Sequence, residues 1–169
     1  MRNWKLNLNQ LATDFWCEVG NSSDVIVWVD SVNSEEGDIH PLFYELYDQS
    51  NIENTARILR TIAKDINEFE IESWQSEPFA KKSLFSALQQ FFIEKMSVQE
   101  ICNLIDQLDG LYNIELTGLD NPNENSDDGW WLGNLWNCCD WCDETWNHKN
   151  SQPLINEAKR IYEKMANKQ

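Results

Sequence analysis

The chain of 169 residues carries 29 acidic and 13 basic side chains, which gives a formal net charge of −16 at pH 7. Its 41% hydrophobic and 12% aromatic residues can build a core, so the composition excludes an intrinsically disordered chain. The acidity disfavours direct binding to nucleic acid, because a phosphate backbone would be repelled, and no apolar run is long enough to span a bilayer.

The N-terminal third predicts two helices with one ambiguity. Residues 7–19 place their apolar side chains on one helical stripe, and Gly20 with Asn21 is the stop signal. The β-branched run at 24–32 favours a buried strand, whereas a cap at Ser22 or Ser23 and the valine spacing favour a helix. We prefer the helix, because no other segment is a convincing strand partner.

Prolines indicate two of the next helix starts. Pro41 suits the first turn of a helix that runs to about Gln49. Ser76 with Pro78 opens a long helix that reaches about Met96.

Two capping boxes mark the remaining central helices. In this motif a serine and a glutamate three residues later satisfy each other's backbone N–H groups. Ser50 with Glu53 predicts one helix start, after which the apolar residues within 58–69 keep helical spacing. Ser97 with Glu100 predicts another, and Gly110 ends that second helix.

The C-terminal third completes a mainly α fold. A few extended residues are possible at 111–119, and turn-forming residues predict an acidic loop at 120–129. The apolar spacing predicts a helix over 130–148, and Pro153 opens the last helix. The sequence therefore predicts a single domain over 1–169. Its expected architecture is a compact multi-helix bundle or a short stack of antiparallel helix pairs, with at most a small strand at 24–32 or 111–119.

The negative charge is concentrated in two segments that lack lysine and arginine. Residues 6–56 hold ten acids, and residues 113–148 hold eight acids together with five of the nine tryptophans. A field of one sign steers oppositely charged partners, and tryptophan dominates binding energy at many interfaces. The pattern favours binding of a cationic protein.

A helical wheel for 130–148 separates a core face from a candidate recognition face. Trp131, Leu135 and Trp146 share the core face with Leu132 and the three cysteines of this segment. The predicted partner-binding residues are Asp127, Asp128, Trp130, Asn137, Asp140, Trp141, Glu144 and His148. The alternative is that Trp130 and Trp141 pack against a neighbouring helix or loop.

Five cysteines, three of them at 138, 139 and 142, suit a reducing compartment and favour core packing over a metal site. The loop at 120–129 departs from the EF-hand pattern, and no catalytic motif is present, so we expect no metal, no cofactor and no enzymatic activity. The N-terminal residues lack an apolar signal-peptide core, which predicts a cytoplasmic protein.

In size, acidity, helical layout and acidic tryptophan-rich segments, the chain resembles the immunity proteins encoded beside bacterial polymorphic toxins, including those of contact-dependent growth inhibition systems. The resemblance implies a cytosolic protein that neutralises a cognate toxin, often a basic nuclease. From the charge and the apolar content we expect no direct contact with nucleic acid and none with a membrane. The alternative is an acidic nucleic-acid mimic or adaptor that sequesters a nucleic-acid-binding protein. A metal-dependent enzyme is the third possibility.

Overall fold

The computed structural model describes residues 4–36, 39–112, 131–132, 134–140 and 142–167. In that part of the chain 72% of the residues are helical, there are seven α-helices and there is no strand, which confirms the predicted mainly α fold. None of these helices is both long and apolar enough to cross a bilayer. The helices are α1 (Trp4–Trp16), α2 (Ser22–Glu35), α3 (Ile52–Asn67), α4 (Glu77–Phe92), α5 (Val98–Tyr112), α6 (Leu135–Cys139) and α7 (Gln152–Ala166).

Backbone contacts divide the chain into two compact units, Met1–Ser83 and Leu84–Gln169. The boundary falls inside α4, so one continuous helix contributes residues to both units. The single domain over 1–169 stays a prediction.

The core of the first unit is built by amphipathic helices α1, α2 and α3. Helix α3 buries Ile58, Leu59 and Ile62 completely, at the spacing that puts them on one face. Fully burying such a side chain stabilises the fold by about 1.5–3 kcal/mol. Helix α1 packs along α3 with Leu8 and Phe15 buried, so the periodicity predicted for both helices is confirmed.

Residues 24–32 are helical, as preferred from the sequence. Val25, Val29 and Val32 are all buried, and this packing outweighs the weak helix propensity of β-branched residues. The predicted cap at Ser22 or Ser23 is wrong. Asn21 caps α2, because its side chain accepts a 3.0 Å hydrogen bond from the backbone N–H of Ser23.

The end of α1 corrects the predicted role of Gly20. The helix ends at Trp16, and Glu18 adopts the left-handed conformation with φ of 58°. Gly20 is needed for a different reason: a Cβ there would lie 2.2 Å from Cδ2 of the Phe15 ring. Glycine therefore lets the chain pass close to an aromatic ring rather than supplying the left-handed turn.

Two further predicted boundaries are wrong. The segment after Pro41 forms only a 3₁₀ helix, Phe43–Tyr47, instead of an α-helix reaching Gln49. Helix α5 continues through Gly110 to Tyr112, where the exposed glycine has open space around it. The first two residues of 111–119 are thus helical, while 113–119 and the loop 120–129 lie outside the described residues.

Asp14 is a part-buried carboxylate of the first unit. Its Oδ1 accepts hydrogen bonds from Ser83 Oγ at 2.6 Å and Gln10 Nε2 at 2.8 Å. Burial raises the pKa of Asp14 despite these two hydrogen bonds. The ionised form is therefore disfavoured in the folded protein.

Asp14→Asn should raise the free energy of unfolding at neutral pH. A folded-state pKa above the ordinary aspartate value of 3.8 gives stability that is complete below pH 3.8 and is lost as the pH rises through the raised pKa. The gain from the amide should shrink as the pH falls toward 3.8, measured by urea unfolding at several pH values. A variant that is less stable than the parent at neutral pH would contradict this reading of Asp14.

One of the two predicted capping boxes is present. The Ser97 N–H donates to Glu100 Oε2 at 2.7 Å, and the Glu100 N–H donates to Ser97 Oγ at 3.2 Å. The Ser50 and Glu53 pair is wrong by one position. Asn51 caps α3 instead, with its side chain accepting from the Asn54 N–H at 3.0 Å.

The two candidate caps of α3 can be separated by substitution. Asn51→Ala should lower the free energy of unfolding by about 1 kcal/mol, since it removes the cap. Ser50→Ala, at an exposed bend, should change it by less than about 0.5 kcal/mol. Equal losses in urea unfolding would show that Ser50 contributes to the cap as much as Asn51.

The predicted helix over 130–148 is wrong. Within the described residues of that segment only Leu135–Cys139 is α-helical, and Cys142 to His148 form turns. Asp143 Oδ1 accepts from the Thr145 N–H at 2.7 Å, and Asn150 Oδ1 accepts from the Asn147 N–H at 2.7 Å. Such short polar side chains offer the backbone local partners that compete with helix formation.

Candidate functional site

An acidic groove in the second unit is the best-defined candidate site. It has a volume of about 420 Å³ and lies between α5, α6 and the turns that follow α6. Its lining residues in the described part of the chain are Gln99, Cys102, Asn103, Asp106, Trp136, Cys139, Asp140, Cys142, Asp143 and Glu144. We call this feature the acidic groove.

One wall of the acidic groove is the polar stripe of α5. Gln99, Asn103 and Asp106 are spaced four and three residues apart, which places them on one side of the helix. The opposite stripe of α5 is apolar and buried, with Ile101, Ile105 and Leu108 among its residues. Burial of that stripe fixes the direction in which the polar wall faces.

Gln99 fastens the turn after α6 to α5. Its Nε2 donates to the backbone oxygen of Asp143 at 3.0 Å and to that of Trp146 at 2.8 Å. Both acceptors are main-chain oxygens. The two hydrogen bonds therefore fix the backbone of the turn and do not depend on its side-chain rotamers. The carboxylates of Asp143 and Glu144 are thereby kept beside α5.

The opposite wall is formed by α6 and the turns after it, and it packs on the core of the second unit. Trp131 is fully buried against Tyr112, with ring centroids 5.4 Å apart, and Leu135 at the start of α6 is also fully buried. Glu157 Oε1 accepts from the Asn134 N–H at 2.9 Å. The Arg160 guanidinium beside Glu157 holds the pKa of that carboxyl below its usual range, so the acceptor is ionised at neutral pH.

The acidic groove carries four carboxylates, and the described residues that line it include no lysine or arginine. Asp106, Asp140, Asp143 and Glu144 are all exposed. Hydrogen bonds from Thr145 lower the pKa of Asp143. The indole Nε1 of Trp136 donates to Asp106 Oδ1 at 3.3 Å, which places an aromatic ring next to the negative charge.

Three thiols line the inner part of the acidic groove. The pKa of Cys102 is raised by its hydrogen bond with Cys139 and by burial. Burial and the hydrogen bond with Cys102 raise the pKa of Cys142 to about 12. Cys102 and Cys142 are therefore protonated at neutral pH. The described residues contain no group of three or more His, Cys, Asp or Glu side chains arranged to hold a metal ion.

The predicted recognition residues have different positions. Asp140 and Glu144 both line the acidic groove. Asn137 is exposed on α6 but is not part of the lining. His148 is part-buried: its ring lies 4.6 Å from that of Phe91, and its Nε2 is 3.0 Å from the Phe91 backbone oxygen. Asp127, Asp128, Trp130 and Trp141 lie outside the described residues.

The predicted core face of this segment is confirmed in part. Trp131, Leu132, Leu135 and Cys139 are buried, whereas Cys138, Cys142 and Trp146 are only half-buried. The helical wheel does not describe the residues after Cys139, because the helix ends there.

Sequence reasoning missed Asp106 and Trp136 as site residues. The spacing of polar residues in the sequence indicates that α5 has a polar stripe, but nothing in the local sequence indicates that this stripe contacts α6. Trp136 is half-buried and is tied to Asp106 across 30 positions in the chain, which is a tertiary contact.

No protein-family model, curated protein or solved structure matches this chain.

Trp131→Ala should remove about 3–5 kcal/mol from the free energy of unfolding, because it empties a fully buried site beneath α6. Trp136→Ala should cost less, because that ring is only half-buried at the edge of the acidic groove. Urea unfolding followed by far-UV circular dichroism measures both. Equal losses for the two variants would contradict the assignment of Trp131 to the core and Trp136 to the site.

Proposed function

We propose that this protein is an immunity protein that binds and neutralises a cognate basic toxin, with the acidic groove as its main contact surface. The observation that carries the proposal is the lining of that groove. Four exposed carboxylates stand beside the indole of Trp136, and the described lining residues include no lysine or arginine. Such a surface is complementary to lysine and arginine side chains.

Electrostatics supports a cationic partner. A nuclease toxin needs lysine and arginine to attract phosphate, so its functional surface is positive. Carboxylates that lack neighbouring cations attract that same surface and speed encounter, with association rates that reach on the order of 10⁸ M⁻¹s⁻¹ at low salt. The proposed inhibitor therefore uses the charge that the toxin cannot lose without losing its substrate.

The shape and rigidity of the acidic groove support tight binding after encounter. A volume of about 420 Å³ lies in the range of pockets that enclose organic groups, so an extended cationic side chain fits. Gln99 and the buried Trp131 hold the two walls before a partner arrives, which lowers the entropy lost on binding. Trp136 supplies a ring face for a cation.

The proposal makes the protein a binder rather than an enzyme. Its groove offers exposed carboxylates and protonated thiols, a set that suits recognition of positive charge. We also propose that it acts in the cytoplasm of the toxin-producing cell, where the toxin would otherwise reach its target.

Growth protection tests the proposed function directly. Each reading frame that neighbours this gene is expressed with and without it in a laboratory bacterium. A large frame with a basic C-terminal domain should arrest growth alone and permit growth when this protein is present. If no neighbouring product is neutralised, the immunity function is wrong. Equal binding to several unrelated nucleic-acid-binding proteins would favour the acidic mimic instead.

The acidic groove should control the rate of association. The triple variant Asp106→Asn, Asp140→Asn and Glu144→Gln keeps the side-chain shapes but removes three charges. It should bind the neutralised toxin domain about tenfold more slowly at low salt, with a flatter dependence on salt concentration. Stopped-flow fluorescence at several NaCl concentrations measures both.

A matched control removes three charges from residues that do not line the groove. Glu53→Gln, Glu94→Gln and Glu163→Gln lie at exposed positions outside its lining. This control should lose much less of the association rate than the groove variant. If the two triple variants slow association equally, the association rate depends on the net charge of the protein and not on the acidic groove.

A further inference from the structure

The 3₁₀ helix Phe43–Tyr47 of the first unit presents two tyrosines on its outer side. A 3₁₀ helix has three residues per turn, so side chains three apart lie one above the other. Phe43 and Leu46 are fully buried on one side. Tyr44 and Tyr47 follow the same spacing on another side, where they are 49% and 41% exposed. Their rings are stacked, with centroids 6.4 Å apart and planes 15° apart.

Helix α2 holds these two rings in place. Tyr47 Oη donates to Asp30 Oδ1 at 2.8 Å, and Tyr44 Oη donates to Asn33 Oδ1 at 3.4 Å. Below them the ring of Phe43 meets that of Tyr44 edge-to-face at 5.6 Å. The rings are therefore ordered before any partner arrives, and a ligand that packs on them loses little additional side-chain entropy. We call Asp30, Asn33, Tyr44 and Tyr47 the tyrosine face.

The surroundings of the tyrosine face are negative. From α2 through the 3₁₀ helix to residue 48 the sequence has no lysine or arginine. Two described cations of this unit pair with other acids: Arg60 with Glu72 at 3.2 Å and Lys64 with Glu70 at 2.8 Å. The exposed carboxylates of α2 and the 3₁₀ helix region are Asp24, Asp30, Glu35, Glu36, Glu45 and Asp48.

We propose that the tyrosine face is a second docking surface, which receives arginine side chains of the same cationic partner; this occupant rests on the proposed function. The planar guanidinium packs over a tyrosine ring, and its N–H groups reach a nearby carboxylate. Asp30 accepts from Tyr47 through Oδ1, and its second oxygen, Oδ2, can accept from the guanidinium. Lysine offers a point charge with no flat surface and fits this combination less well.

Two defined peptides test the chemistry without the natural partner. Acetylated and amidated (Arg-Gly)₄ and (Lys-Gly)₄ carry the same charge and differ in the cationic group. Each is titrated into ¹⁵N-labelled protein at low salt, and the amide signals of Asn33, Tyr44 and Tyr47 are followed. The arginine peptide should bind this face about two- to fivefold more tightly than the lysine peptide. Equal affinities, or no shifts at these residues, would overturn the proposal.

Matched variants locate the effect. Tyr44→Leu with Tyr47→Leu keeps apolar surface but removes both rings, and Asp30→Asn keeps an acceptor but removes the charge. Both should abolish the preference for arginine. The control Ile52→Ser, at a residue 66% exposed on the same unit, should retain it. Circular dichroism confirms folding of each variant, and an unchanged preference in the folded Asp30→Asn protein alone suffices to reject the carboxylate contact.

Toxin protection separates this proposal from the proposed function. Loss of protection in the tyrosine variant as well as in the acidic-groove triple variant supports two contact surfaces. Full protection by the tyrosine variant, together with failure of the groove variant, rejects the second surface and leaves the immunity function intact. No protection by the parent protein rejects the immunity function, while the peptide titration still decides whether the tyrosine face binds arginine.

Discussion

A chain with 29 acidic and 13 basic side chains must leave most of its carboxylates in water, because a buried charge without a partner is very costly. The fold meets this constraint with amphipathic helices whose inner stripes are almost entirely apolar. Asp14 shows the cost of an exception, since burial raises its pKa even with two hydrogen bonds in place. The surface is therefore acidic. Its regions differ in whether aromatic rings lie next to the carboxylates.

Two such regions combine negative charge with rings that are already fixed. In the acidic groove, Trp136 donates to Asp106, and Gln99 holds the turn that carries Glu144. On the tyrosine face, Tyr47 donates to Asp30. Each arrangement leaves carboxylate oxygens facing outward beside an aromatic surface. A partner with lysine and arginine on its surface therefore finds steering at long range and preformed contacts at short range.

The sequence predicted what depends on neighbours along the chain. The helical stripe of α3 and the capping box at Ser97 are local patterns, and both are present. Prediction failed over 130–148, because apolar spacing suggested a helix while hydrogen bonds made by side chains such as Asp143 favour turns. Of the predicted recognition residues, Asp140 and Glu144 line the acidic groove. Asp106 joins them through tertiary packing that spacing alone does not encode.

A structure of this protein bound to its cationic partner would show which atoms of the two proteins are in contact. The proposed function predicts a lysine ammonium or arginine guanidinium of the partner within about 4 Å of the carboxylate oxygens of Asp140 or Glu144, inside the acidic groove. A complex in which the groove faces solvent and the partner binds elsewhere would contradict it.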